Sequence, residues 1–138
     1  MIKALDHIAI AVIDFDAAIK RFADDFGIEL GNTEDVVAAK TKTAFFPLPG
    51  TRIELVHPLD GEGPIAKYLA RQGRGGLHHV AFETDDITAD MERLRSKGYR
   101  LLSEAPQPGA HDSLVVFVHP KDTDGVLIEL VQYKPADG

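Results

Sequence analysis

Residues 5–30 read LDHIAIAVIDFDAAIKRFADDFGIEL, and residues 77–102 read LHHVAFETDDITADMERLRSKGYRLL. At an offset of 72, Leu5, His7, Ala9, Asp14, Ala17 and Arg21 fall on Leu77, His79, Ala81, Asp86, Ala89 and Arg93. Apolar positions agree as well: Ile8 and Ile10 meet Val80 and Phe82, and Ile19 and Phe22 meet Met91 and Leu94. Further on, Ile53-Glu54-Leu55-Val56 returns as Ile128-Glu129-Leu130-Val131 at an offset of 75. Two matches in the same order at nearly the same spacing mark an internal duplication. The modules are residues 1–58 and 77–134. A linker, 59–76, carries five glycines and a short helix-like run from Ile65 to Leu69.

Each module opens with an alternating strand, Ile8, Ile10 and Val12 pointing one way and Leu5, His7, Ala9 and Ala11 the other. A helix follows. Asp14 is a good N-cap, and Phe15, Ala18, Ile19, Phe22, Ala23 and Phe26 repeat with helical period before Gly27 stops the run. In the second module Asp86 caps, Ile87, Met91 and Leu94 form the stripe, and Gly98 ends it. Strand-like runs come next, at Ala44–Leu48 and Arg52–His57, then at Leu114–Val118 and Val126–Gln132. The unit is strand, helix, then two or three strands, with the helix covering one face of a sheet.

Strand parity then selects four residues. His7 points away from Ile8 and Ile10, and His79 away from Val80 and Phe82; Glu54 and Glu129 oppose their Ile and Leu neighbours in the same way. Each module therefore aims one imidazole and one carboxylate from the face its own helix leaves open. Two carboxylates balance a divalent cation, and neutral imidazoles add nitrogen donors without charge. His7, Glu54, His79 and Glu129 are the expected ligands of one such ion, with positions left for water or substrate. His78 has the wrong parity. His57 and His119 precede prolines at strand ends, and His111 lies in a loop.

The bulk numbers agree with a soluble globular protein. The chain has 138 residues, 44% hydrophobic and 27% charged, enough for one domain with its own core. It has no cysteine, which excludes disulfides and thiolate metal sites. A net charge of -7 opposes nonspecific binding to nucleic acid or anionic membranes. No signal-peptide pattern or membrane-length apolar run is present, so a cytoplasmic location is expected.

At these residues the chain resembles the vicinal oxygen chelate superfamily, which includes glyoxalases, bleomycin resistance proteins and dioxygenases. Within it, the chain is similar to the methylmalonyl-CoA epimerase family. The segments that carry the likeness are 5–12, 51–55, His57-Pro58-Leu59 with Pro64–Leu69, Gly76–His79, and His119-Pro120-Lys121 with Gly125–Leu130. The resemblance implies an α+β fold of two βαβββ modules forming a cup-shaped mixed sheet around a metal site. It also implies one divalent ion (Co, Mn, Ni or Zn, with cobalt favoured), an acyl-CoA substrate and a homodimer. The implied activity inverts the acidic α-carbon of methylmalonyl-CoA, or of a close acyl-CoA, through a metal-stabilised enolate. Glu129 is then one acid–base group, and Ser113, His111 and Lys121 are substrate-binding candidates. Some relatives carry a glutamate where this chain has Thr43, which leaves the second acid–base group without a candidate. The alternatives are a glyoxalase I-type lyase, a metal-free binding module and, because four ligands are one too many for it, less readily an extradiol dioxygenase.

Overall fold

The structure is a computed structural model that describes residues 1–135. The chain divides into two compact units: His7–His78, and Met1–Asp6 together with the residues from His79 onward.

In the His7–His78 unit, strand β1 (Ile2–Ala11, which enters this unit at His7) leads into helix α1 (Phe15–Lys20). Strands β2 (Asn32–Val36), β3 (Thr41–Leu48) and β4 (Thr51–Pro58) follow, in the spatial order β2-β3-β4-β1. β3 runs antiparallel to both neighbours, and β4 runs parallel to β1 with Ala9 opposite Glu54. Asp14 caps α1 by accepting from the Ala17 amide at 3.0 Å. The apolar stripe of α1 meets Val12, Ala44, Phe46 and Leu55 on one sheet face. Part of the other face is covered as well. Helix α2 (Pro64–Gln72), inside the glycine-rich linker, packs Ile65, Tyr68 and Leu69 against Ala9, Ala11 and Val56.

The second unit repeats the order of elements. Strand β5 (Gly76–Thr84) precedes helix α3 (Ile87–Ser96), then β6 (Gln107–Pro108), β7 (Leu114–Val118) and β8 (Ile128–Gln132), arranged β5-β8-β7-β6. β5 is parallel to β8 with Ala81 opposite Glu129, the counterpart of Ala9 opposite Glu54. Ile87 and Met91 of α3 pack on Val116 and Leu130. The fully buried Asp90 is held by Thr84, Arg93 and the Met1 amine. Burial alone would raise its pKa, but these donors outweigh it and hold the carboxyl below its ordinary value.

Three local features depart from the periodicity. The helix expected over 15–26 is α-helical only to Lys20; Arg21–Asp25 form a π-helical turn, in which the Phe26 amide reaches back to the Arg21 carbonyl at 3.2 Å. That extra residue rotates Phe26 out of the stripe, leaving it 65% exposed. β2 carries no apolar alternation, because an edge strand accepts polar residues on both faces. β8 starts at Ile128 rather than Val126, since left-handed Asp124 and Gly125 prolong the preceding turn.

Phe46→Ala is expected to cost about 3–5 kcal/mol in chemical denaturation, whereas Phe26→Ala changes stability by no more than about 0.5 kcal/mol. A second expectation concerns acid. Arg100 grips both carboxylate oxygens of Asp122, at 2.8 and 3.1 Å, and lowers its pKa from 3.8 to about 2. A lowered folded-state pKa contributes stability above the unfolded value and loses it as pH falls from about 4 towards 2. Asp122→Asn should therefore flatten the acid limb of the stability–pH curve, read by urea denaturation across that window.

Candidate functional site

The two His–Glu pairs form as contacts inside their own units. Register brings this about: in a parallel pair, a residue two positions before the one opposite a glutamate lies diagonally beside it on the same face. In the first unit His7 Nδ1 lies 3.0 Å from Glu54 Oε2, with the two residues only 4% and 5% exposed. Arg52, two residues before Glu54 on the same face of β4, donates Nε–H to the same Oε2 at 2.7 Å. Its guanidinium carbon lies 5.5 Å from the centre of the Phe45 ring, and Phe45 stands directly opposite Glu54 on β3. An aromatic face against a guanidinium restricts where the arginine can go.

In the second unit His79 Nε2 lies 3.2 Å from Glu129 Oε1, and both residues are again buried. The His79 ring meets Phe117 edge-on at 5.3 Å, and Phe117 stands opposite Glu129 on β7. Each unit thus builds the same arrangement: a buried imidazole, a buried carboxylate and an aromatic ring on the neighbouring strand. The donor chemistry fits a divalent ion, which takes carboxylate oxygen and imidazole nitrogen together. Two residues before the glutamate the pairs differ: at the offset of 75, the counterpart of Arg52 is Leu127.

The other candidates separate along β7. Ser113 is buried immediately before β7 and continues the parity of Val115 and Phe117, hence of Glu129's face. The turn before it is strained: His111 and Asp112 both adopt left-handed backbone, with φ of 55° and 59°. Gly109 permits this approach, because a Cβ there would lie 2.6 Å from Val115 Cγ1 and 2.8 Å from Ser113 Oγ. Asp112, an awkward neighbour for an anionic ligand, is paired with Lys134 Nζ at 2.8 Å. Lys121 is exposed in the turn at the opposite end of β7, with its amide donated to His119 Nδ1. The structure therefore groups His111 with Ser113 and keeps Lys121 apart from them. His57 faces α1, where its Nδ1 lies 2.9 Å from the Val12 carbonyl and its ring stacks near Phe15.

Two side chains of interest escape a reading of the sequence. Arg52 has the parity of Glu54, and that was the available signal. Glu34 lies on β2, whose polar run Asn32-Thr33-Glu34-Asp35-Val36 does not announce a strand.

Comparison with known proteins places this geometry in context. Residues 6–117 match the family model of the Glyoxalase/Bleomycin resistance protein/Dioxygenase superfamily. The ethylmalonyl-CoA/methylmalonyl-CoA epimerase of Cereibacter sphaeroides is 44% identical over 133 residues, covering 96% of this chain and 99% of that protein. The crystal structure of methylmalonyl-CoA epimerase from Mycobacterium tuberculosis is similar with a TM-score of 0.90 at 40% identity, covering 97% of this chain and 90% of that one. A variant of the Streptomyces coelicolor methylmalonyl-CoA epimerase in complex with 2-nitronate-propionyl-CoA gives 0.91 at 33% identity, covering 100% and 99%. A lactoylglutathione lyase of Arabidopsis thaliana is more distant, 29% identical over 129 residues that make up 94% of this chain and 44% of that protein.

Removing Arg52 tests how Glu54 is held. Arg52→Met leaves a buried carboxylate without its strongest donor and should destabilise the metal-free protein by about 2–3 kcal/mol in urea denaturation. Loss of less than about 0.5 kcal/mol would mean that the ion pair is not formed in solution.

Proposed function

The chain belongs to the glyoxalase/bleomycin resistance protein/dioxygenase superfamily, and within it we propose that the protein is an epimerase that inverts the α-carbon of methylmalonyl-CoA or a close acyl-CoA. The observation that carries the reading is the buried His–Glu pair occurring twice, on a chain 44% identical over nearly its whole length to an epimerase of this name. The lyase reading rests on a weaker likeness that spans under half of its relative.

In this reading the modules 1–58 and 77–134 make one domain, and His7, Glu54, His79 and Glu129 hold a single divalent ion. Oxygen and nitrogen donors admit several first-row ions, and cobalt is the first to test. When bound, such an ion supplies positive charge for the negative charge that develops on the thioester oxygen. The protein's own groups do the rest. Glu129 takes or returns the α-proton on one side of the carbon. It suits the task better than Glu54, because Arg52 fixes the Glu54 carboxylate whereas Leu127 stands in that place beside Glu129. Ser113 and His111 donate to the substrate carboxylate from the strained turn, and Lys121 meets the anionic carrier. A homodimer in the cytoplasm completes the reading; among the described residues no helix is long and apolar enough to cross a membrane.

Incubation of the cobalt-loaded protein with (2R)- or (2S)-methylmalonyl-CoA in deuterated water is the test. The expected result is deuterium at the α-carbon and an approach to equal epimers from either side, abolished by chelator and restored by metal. Absence of both exchange and inversion, together with conversion of a glutathione hemithioacetal, would move the protein to the lyase class.

A further inference from the structure

Resting on the epimerase reading, the substrate is a thioester of coenzyme A, whose pantetheine arm ends in a diphosphate and a 3′-phosphate. These phosphates stay charged while the acyl end reacts, and a single lysine offsets only part of that charge. A chain with a net charge of -7 needs a local cationic surface to hold them. Residues 63–78 supply one: the run contains Lys67, Arg71 and Arg74 and no aspartate or glutamate. All three side chains are exposed, and among the described residues none of the three forms an ion pair. Other cations are engaged by carboxylates, as Arg93 is by Asp90, Arg100 by Asp122 and Lys134 by Asp112.

The run lies wholly within the His7–His78 unit, on α2 and the turn that follows it. α2 packs Ile65, Tyr68 and Leu69 on Ala9, Ala11 and Val56. By strand alternation Ala9 and Ala11 share a face with His7, and Val56 shares one with Glu54. Ala11 stands opposite Val56, and Ala9 opposite Glu54, so the two rows are about 7 Å apart along the strands. α2 is therefore a wall beside the His7–Glu54 pair, on the pair's own side of the sheet. Lys67 and Arg71, one helical turn apart, project from the side of α2 away from Ile65 and Leu69.

This surface is held in place. The Arg71 guanidinium carbon lies 6.0 Å from the centre of the Tyr68 ring, which restricts where the arginine can go. The Tyr68 hydroxyl donates to the Leu77 carbonyl at 3.2 Å, and a Cβ at Gly76 would lie 2.9 Å from that hydroxyl. The chain after α2 thus returns close against the helix, turned by left-handed Gly73 at φ 70° immediately before Arg74. Arginine forks and a lysine ammonium are the side chains that bind phosphate oxygens through charge-assisted hydrogen bonds. We propose that Lys67, Arg71 and Arg74 form the subsite for the phosphates of coenzyme A, holding the carrier while the acyl end lies on the face of the His7–Glu54 pair.

The triple variant Lys67→Gln, Arg71→Gln, Arg74→Gln removes the charge at exposed positions and should keep the thermal midpoint of the wild type. In the cobalt-loaded protein its KM for methylmalonyl-CoA should rise by about tenfold or more, with kcat within about twofold. Methylmalonyl-pantetheine carries the same acyl group and arm without the phosphates. Variant and wild type should invert it with kcat/KM within about twofold of each other. Added salt should raise the wild-type KM for methylmalonyl-CoA and leave that of the variant nearly unchanged. A variant KM for methylmalonyl-CoA within about twofold of wild type would overturn the subsite. Equal losses on both thioesters would also overturn it, because they mark a structural role at the neighbouring pair. Titration calorimetry with coenzyme A alone separates the subsite from the reaction: the wild type should bind at least about tenfold more tightly than the variant, and equal affinities would overturn the subsite. A wild type that inverts neither thioester would remove the epimerase reading, and the calorimetric comparison would then decide the subsite by itself.

Discussion

Glu54 and Glu129 are carboxylates in the middle of strands whose neighbouring residues build apolar cores, and burial of an ionised carboxylate away from positive charge is costly. The chain meets that cost twice in the same manner. An imidazole is placed diagonally beside each carboxylate by a parallel pairing, Ala9 opposite Glu54 and Ala81 opposite Glu129. Alanines at those positions leave room for the longer side chains around them. On the other sheet face, Phe46 and Leu55 in one unit and Val116 and Leu130 in the other bind the sheet to its helix. Helix packing and site geometry are thus two faces of one alternation, and a slip of one residue would exchange them.

Each unit carries the same buried His–Glu pair, and the surroundings of the two pairs differ. Arg52 ties down Glu54, while Leu127 stands at the corresponding place beside Glu129. A carboxylate held by an arginine is suited to a fixed role as a ligand. The turn before β7 carries two left-handed residues, His111 and Asp112, whereas the turn before β3 carries one, Lys40.

Much of this could be read from residue order. The two His–Glu pairs followed from strand parity applied to a repeat, and the caps Asp14 and Asp86 from their places before apolar stripes. What escaped has physical causes. β2 is an edge strand, and its polar residues carry no periodicity, so Glu34 could not be set against Thr43 without the register. The π-helical turn at Arg21–Asp25 inserts a residue that no propensity marks. The helix-like run Ile65–Leu69 is helix α2, but its packing against Ala9 and Ala11 is a long-range contact that residue order does not show. Arg52 was visible on the right face, but its bond to Glu54 depends on side-chain geometry.

The proposed chemistry depends on both His–Glu pairs serving one ion. Anomalous diffraction at the cobalt edge from crystals of the cobalt-loaded protein measures this directly. The expected result is a single peak per chain, bonded to His7, Glu54, His79 and Glu129 together. Two separate peaks, one at each pair, or a peak bonded to only one pair, would contradict it.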